Sequence, residues 1–239
     1  MTLSVTIRHR QGDFSLDVAF AAEGGVTALF GASGSGKTSI LRILGGLTRP
    51  DAGRILLEGD ALLDTDRRLF IPAHRRRFGY VFQEPRLFPH LTVRQNLTYG
   101  RWFAGRAEVR ADMERILDML GSHVDENALI SSLAVADKQM VEIAKAISRD
   151  ARVIFMDEPT GGLDVSVQAR LLDLVRGLVN DLGLAAIVVT HDLAVARLLS
   201  HRMMVMKEGH VIEHGLTDRV LDDPRQPYTQ LLVSSILQV

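Results

Sequence analysis

The sequence predicts an α/β fold with a parallel sheet core, a small antiparallel β layer and an inserted helical subdomain. Three observations carry this. Gly31-Ala32-Ser33-Gly34-Ser35-Gly36-Lys37-Thr38 fits the phosphate-loop pattern G-x-x-x-x-G-K-[ST], between an apolar run (Val26 to Phe30) and a helical stretch (Ser39 to Leu47). Val153-Ile154-Phe155-Met156 is an apolar run ending in Asp157-Glu158, as in a buried parallel strand with acids at its C-terminal edge. Residues 3–7 and 14–20 alternate apolar and polar around a Gly12-Asp13 turn, as half-buried antiparallel strands do.

The remaining elements follow in order. Residues 53–58 and 78–82 read as strands, and Pro85 and Pro89 mark the next stretch as loop. Val109, Met113, Ile116, Leu117 and Leu120 fall at helical spacing over 105–121, with Gly121 as the stop. Met140, Val141, Ile143, Ala144 and Ile147 define a second helix over 137–149, with Asp137 at its cap or in its first turn. The helical subdomain is thus expected over about 84–150. Gly161-Gly162-Leu163-Asp164 is a turn into a helix from Val165 to Leu182. Ala185 to Thr190 is a further buried strand, followed by His191-Asp192. Met203 to Met206 and His210 to Glu213 form a strand pair around Glu208-Gly209. Residues 217–239 carry a helix, a Pro224/Pro227 break and a terminal apolar helix.

Composition sets limits. The 239 residues are expected to form one domain, and 46% hydrophobic residues supply a substantial core. Lys plus Arg (28) nearly balance Asp plus Glu (29), so nothing points to a nucleic-acid partner held by bulk charge. The absence of cysteine excludes disulfides and thiolate metal sites and fits a reducing compartment. No signal peptide is expected from Met1 to Val5, and no apolar stretch approaches the ~20 residues of a membrane span. The eight histidines show no metal-ligand spacing. Arg75-Arg76-Arg77 reads as a solvated charge run, with a partner or lipid-headgroup contact as the alternative.

The chemistry concentrates at the strand ends. Glycines let backbone N–H groups turn toward a phosphate chain, and the helix N-terminus adds partial positive charge. Lys37 reaches the outer phosphates, and the Thr38 hydroxyl is a Mg²⁺ ligand. Asp157 holds Mg²⁺ directly or through water, and Glu158 polarises an attacking water. Gln83, at a strand end, can reach the Mg²⁺ or the water. His191 falls at the same sheet edge and can contact a γ-phosphate.

This order of motifs resembles the ATP-binding cassette (ABC) ATPases along the whole chain, which implies the P-loop NTPase fold of that family. Gly31 to Thr38 is similar to Walker A, with Ser39 beside it, Gln83 to the Q-loop glutamine, and Val153 to Asp157 to Walker B. Glu158 matches the catalytic glutamate, Asp164 the D-loop aspartate and His191 the switch histidine. The resemblance implies ATP and Mg²⁺ as cofactors and two such domains, here a homodimer, enclosing two ATP molecules. Each site is completed by the partner's signature segment, here Leu133-Ala134-Val135-Ala136-Asp137. That segment departs from the usual Leu-Ser-Gly-Gly-Gln. Ala134 lacks the serine hydroxyl, and Val135 replaces a glycine that allows close backbone approach. The aromatic that stacks on adenine is not evident. Phe14 and His9 lie in the right region, and Phe14 fits a core role equally well.

The resemblance is a mosaic. Residues 26–103 are similar to molybdate-type importer ATPases, 125–150 to sugar importers, and 155–239 to the ATPase subunit associated with phosphonate carbon–phosphorus lyase. Such a switch within one domain suggests a recombinant or designed chimera. It implies either an importer ATPase, for an oxyanion such as molybdate, docked on membrane-spanning subunits at the inner face of the cell membrane, or an ATPase on a lyase core. A nucleotide-binding fold with impaired turnover is the third expectation.

Overall fold

In a computed structural model of the chain, residues 1–100, 114, 124–148 and 151–236 are described. The helix expected over 105–121 falls, Glu114 apart, outside the described residues.

Two sheets form the frame. The first is antiparallel, in the order β2-β1-β4-β5-β6. Its long hairpin joins β1 (Thr2–Gln11) to β2 (Phe14–Glu23) through the expected Gly12-Asp13 turn. β4 (Ala52–Leu57), β5 (Asp60–Asp64) and β6 (Leu69–Phe70) complete it. The last two strands are short and lack a run of alternation, so the sequence reading missed them.

The second sheet has the order β11-β10-β3-β9-β8-β7. Five of its strands run parallel: β10 (Arg202–Lys207), β3 (Gly25–Gly31), β9 (Ala185–Thr190), β8 (Val153–Asp157) and β7 (Phe78–Val81). β11 (His210–Leu216) closes the edge antiparallel to β10. Every residue of β8 and β9 is buried, which explains why both read as continuous apolar runs.

The helices cover the sheets. The described residues hold α1 (Lys37–Leu44), α2 (Val93–Thr98), α3 (Val135–Ile147), α4 (Val165–Asp181), α5 (Leu193–Leu199), α6 (Thr217–Asp222) and α7 (Pro227–Ile236). One core lies between the two sheets around α1, joining Ile7, Leu16, Ile40, Leu44 and Phe155. A second lies under α4, with Leu171, Val175, Ile154 and Val188. α2 and α3 pack through Val93, Leu97, Ile130, Val141 and Ala144. Among the described residues, no helix is long and apolar enough to cross a membrane.

Helix starts follow side-chain chemistry where it is available. Thr92 and Gln95 form a reciprocal capping box on α2. Asp164 caps α4, and Asp192 caps α5 through the N–H groups of Ala194 and Val195. α3 starts two residues before the expected 137, because Ala134 takes the extended N-cap conformation and Asp137 lies in the first turn. Ala134 has no side-chain oxygen to cap with. Ala134→Ser should therefore raise the stability of the chain by about 1 kcal/mol in denaturant unfolding, the usual worth of a cap.

Candidate functional site

The parallel register builds the site. Leu29 on β3 and Asp157 on β8 both pair with Val189 on β9, so Gly31, Asp157 and His191 leave the sheet at one edge. That edge is the carboxyl end of the strands, where open α/β sheets place ligands.

The phosphate loop turns between β3 and α1. Gly36 is the N-cap of α1 with φ of 103°, and a Cβ there would lie 2.9 Å from the Phe14 ring. A side chain at Gly31 would meet the Met206 carbonyl oxygen at 2.4 Å. Both positions thus require glycine for space as well as for backbone freedom.

The loop, Gln83, Asp157, Glu158 and His191 converge on one cleft of about 590 Å³. Ser33, Gly34, Gly36, Lys37, Thr38 and Ser39 line one wall. Lys37 is buried, and its Nζ donates to the carbonyls of Gly31 (2.7 Å) and Ala32 (2.9 Å). Burial pushes the Lys37 ammonium below its ordinary pKa, and the nearby Glu158 and Asp157 carboxylates oppose that shift.

Asp157 and Glu158 also line the cleft. Thr38 Oγ1 donates to Asp157 Oδ1 at 3.3 Å. Burial raises the Asp157 pKa against the lowering effect of that hydrogen bond, and the Glu158 charge raises it further. Glu158 has a left-handed φ of 48°, and its backbone N–H donates to the Val189 carbonyl at 3.0 Å. The turn directs the carboxylate back toward His191, whose Nδ1 lies 3.1 Å from Glu158 Oε1. A strained backbone at this position ties the acid to the neighbouring strand.

The structure leaves other expected residues outside the cleft. The Asp164 carboxylate accepts from the Ser166 hydroxyl (2.7 Å) and the Val167 N–H (3.0 Å), which hold it below the usual carboxylate range. None of Leu133, Ala134, Val135, Ala136 and Asp137 lines the cleft. They lie at the start of α3, where Val135 is 59% exposed. His9 pairs with Asp51 at 3.5 Å and does not reach the cleft, whereas Phe14 lines it. Gln11, at the end of β1, also lines the cleft and carried no motif in the sequence. Arg76 is buried, so the expected solvated run is interrupted at its centre, while Arg75 and Arg77 are exposed.

The residues present suit a Mg²⁺ ion. Among the described residues no group of three or more His, Asp and Glu side chains could hold a metal. A hydroxyl and a buried carboxylate in contact are the partial donor set Mg²⁺ takes when phosphate oxygens and water complete its shell.

Fold and cleft together define the P-loop NTPase class. Residues 15–161 match the ABC transporter family model, and the chain belongs to that family. It is 47% identical over 224 residues to "Molybdenum import ATP-binding protein ModC" of Rhizobium meliloti, covering 94% of this chain and 63% of that protein. It is 44% identical to "Putative phosphonates utilization ATP-binding protein PhnK" of Escherichia coli, covering 98% of this chain and 96% of that protein. Both kinds of relative thus align along nearly the whole chain, in keeping with the mosaic resemblance. The chain spans about 60% of the length of the molybdenum-import relatives. Among solved structures, a component of the cbiONQ ABC transporter complex of Clostridium perfringens superposes with a TM-score of 0.80 at 26% identity, covering 99% of this chain and 98% of that one. A dimeric ATP-binding cassette in a post-hydrolysis state with ADP and Pi gives 0.74 at 28% identity, over 91% and 99%.

The raised pKa of Asp157 has a consequence for stability. A carboxyl whose folded pKa lies above its unfolded value stabilises fully at low pH, and that contribution is lost as pH rises through the folded pKa. Asp157→Asn should therefore stabilise the nucleotide-free chain at pH 7.5. The gain should shrink as pH falls through the carboxyl range, read by urea unfolding at each pH.

Proposed function

We propose that the chain binds and hydrolyses Mg-ATP as the nucleotide-binding subunit of an ABC importer. In this reading two copies pair head to tail and dock on membrane-spanning subunits at the inner face of the cell membrane. The observation that carries it is the convergence of Lys37, Thr38, Gln83, Asp157, Glu158 and His191 on a single cleft.

On binding, Lys37 exchanges the Gly31 and Ala32 carbonyls for phosphate oxygens, keeping its charge compensated. The loop amides at the start of α1 take the remaining phosphate oxygens. Thr38, Asp157 and Gln83 would hold Mg²⁺, which would supply charge neutralisation at the transferred phosphoryl group. Glu158 orients a water and accepts its proton. The water oxygen bonds to the γ-phosphorus while the bond to the β-phosphate oxygen breaks, giving ADP and inorganic phosphate. His191, in contact with Glu158, keeps the carboxylate aimed at that water.

The second half of each site comes from Leu133 to Asp137 of the other copy, with Asp164 at the seam. Val135 and Val165 are 59% and 82% exposed beside these segments, and exposed apolar side chains of this kind suit an interface. Ala134 offers that partner site no hydroxyl.

An oxyanion such as molybdate is the favoured cargo, because "Molybdenum import" is what the names of several relatives state. A second reading has one specific support. The phosphonate-utilization relative is matched over 96% of its own length, so its whole architecture corresponds to this chain. Under that reading the ATPase works on a lyase core instead of membrane subunits. Affinity capture with each set of purified partners separates the two.

Glu158→Gln should lower ATP turnover at least a hundredfold while ATP affinity stays within about threefold of the parent chain. Phosphate release and equilibrium nucleotide binding measure the two. Absence of a Glu158-dependent rate would favour a nucleotide-binding fold with impaired turnover. Ala134→Ser should strengthen ATP-dependent dimerisation in sedimentation by at least tenfold, the worth of a charge-assisted hydrogen bond. Unchanged dimerisation would remove the signature segment from the site.

A further inference from the structure

Arg76 has no part in the chemistry above, yet it is the most deeply buried guanidinium among the described residues, at 2% exposure. Its Nε donates to the Ile71 carbonyl at 2.6 Å. Its Nη1 donates to the carbonyls of Ile43 (3.0 Å) and Leu44 (2.6 Å), the last two residues of α1. Burial lowers its pKa to about 10, so it remains charged at neutral pH. Among the described residues it has no carboxylate partner, and its Nη2 makes no hydrogen bond. The compensation is the carbonyl end of α1, the negative pole of that helix, together with the Phe70 ring 5.2 Å away. The fit is close, since a Cβ on Gly46 would stand 2.6 Å from Arg76 Nε.

The two segments joined here both lead to the cleft. α1 is eight residues long, and its other end carries Lys37 and Thr38. Two residues beyond Arg76, β7 begins, and it runs through Val81 to Gln83. One guanidinium therefore fastens the rear of the phosphate helix to the chain that delivers the glutamine.

We infer that Arg76 is a positioning residue for the nucleotide cleft, setting where α1 sits along its axis relative to β7. The loop amides and Lys37 then meet the phosphate chain in register with Gln83. A planar fork is needed, because its three acceptors lie on two separate segments, which the compact ammonium of lysine does not span. The inference rests on the nucleotide-binding reading above.

The test compares Arg76→Lys, Arg76→Met and Leu178→Ala with the parent chain. Leu178 is a buried residue near the far end of α4, and its truncation lowers stability without touching the cleft. Calorimetry measures affinity for Mg-ATP and for tripolyphosphate, which offers phosphates without a base, at a temperature where thermal scans show each variant folded. Arg76→Lys should weaken both ligands about tenfold. Leu178→Ala should lower the melting temperature and leave both affinities unchanged. Parent-like affinity in Arg76→Lys overturns the inference, as does equal weakening in Leu178→Ala. If Arg76→Met fails to fold, the lysine variant still decides. A parent chain that bound tripolyphosphate but not ATP would overturn the function instead and leave the Arg76 comparison readable.

Discussion

The cleft depends on the register of three parallel strands. β3, β9 and β8 each end within a residue or two of the same line, so the phosphate loop, His191 and the acid pair leave the sheet together. A slip of one residue in β8 would exchange its two faces and turn the Asp157 side chain away from Thr38. Alternate residues of β8 and β9 pack into two different cores, and the fit of those side chains opposes such a slip. Packing of apolar strands therefore sets the distances between polar groups that carry the chemistry.

This also explains which parts of the molecule were legible in the sequence. The loop, the Asp-Glu strand end and the histidine strand end are local patterns with a local cause, and β8 and β9 lie where the apolar runs placed them. Asp164 ends the expected turn into a helix and caps it, whereas the short helix that Asp192 caps was not read from the sequence. β5 and β6 were not legible because they hold their place by pairing with β4, a non-local cause. Gln11 was not legible because only the long β1–β2 hairpin brings it to the cleft. Arg76 looked like its neighbours in a run of three arginines. Its burial follows from the approach of α1, which composition does not record.

The cleft and its support hold charge where water is scarce, and the same reason accounts for each case. Lys37 and Arg76 are both cations whose pKa values are lowered by burial, and both donate to carbonyl oxygens instead of carboxylates, although Arg76 Nη2 is buried without a partner among the described residues. Asp157 is a desolvated carboxyl whose hydrogen-bond donor among the described residues is the Thr38 hydroxyl. Such groups cost stability when unliganded, but they are already stripped of solvent and fixed in direction. A polyphosphate entering the cleft would give Lys37 a full negative charge in place of partial ones, and a divalent cation would do the opposite service for Asp157. Binding energy would then be released at the atoms that take part in phosphoryl transfer. Arg76 differs in facing away from the ligand. Its carbonyl acceptors are the rear of the helix whose front meets the phosphates, so the cations at the two ends of α1 have opposite tasks. Lys37 must be free to leave its carbonyls, whereas Arg76 must not. The number of acceptors agrees with that division, since Lys37 is held by two adjacent carbonyls of one loop and Arg76 by three on two separate segments.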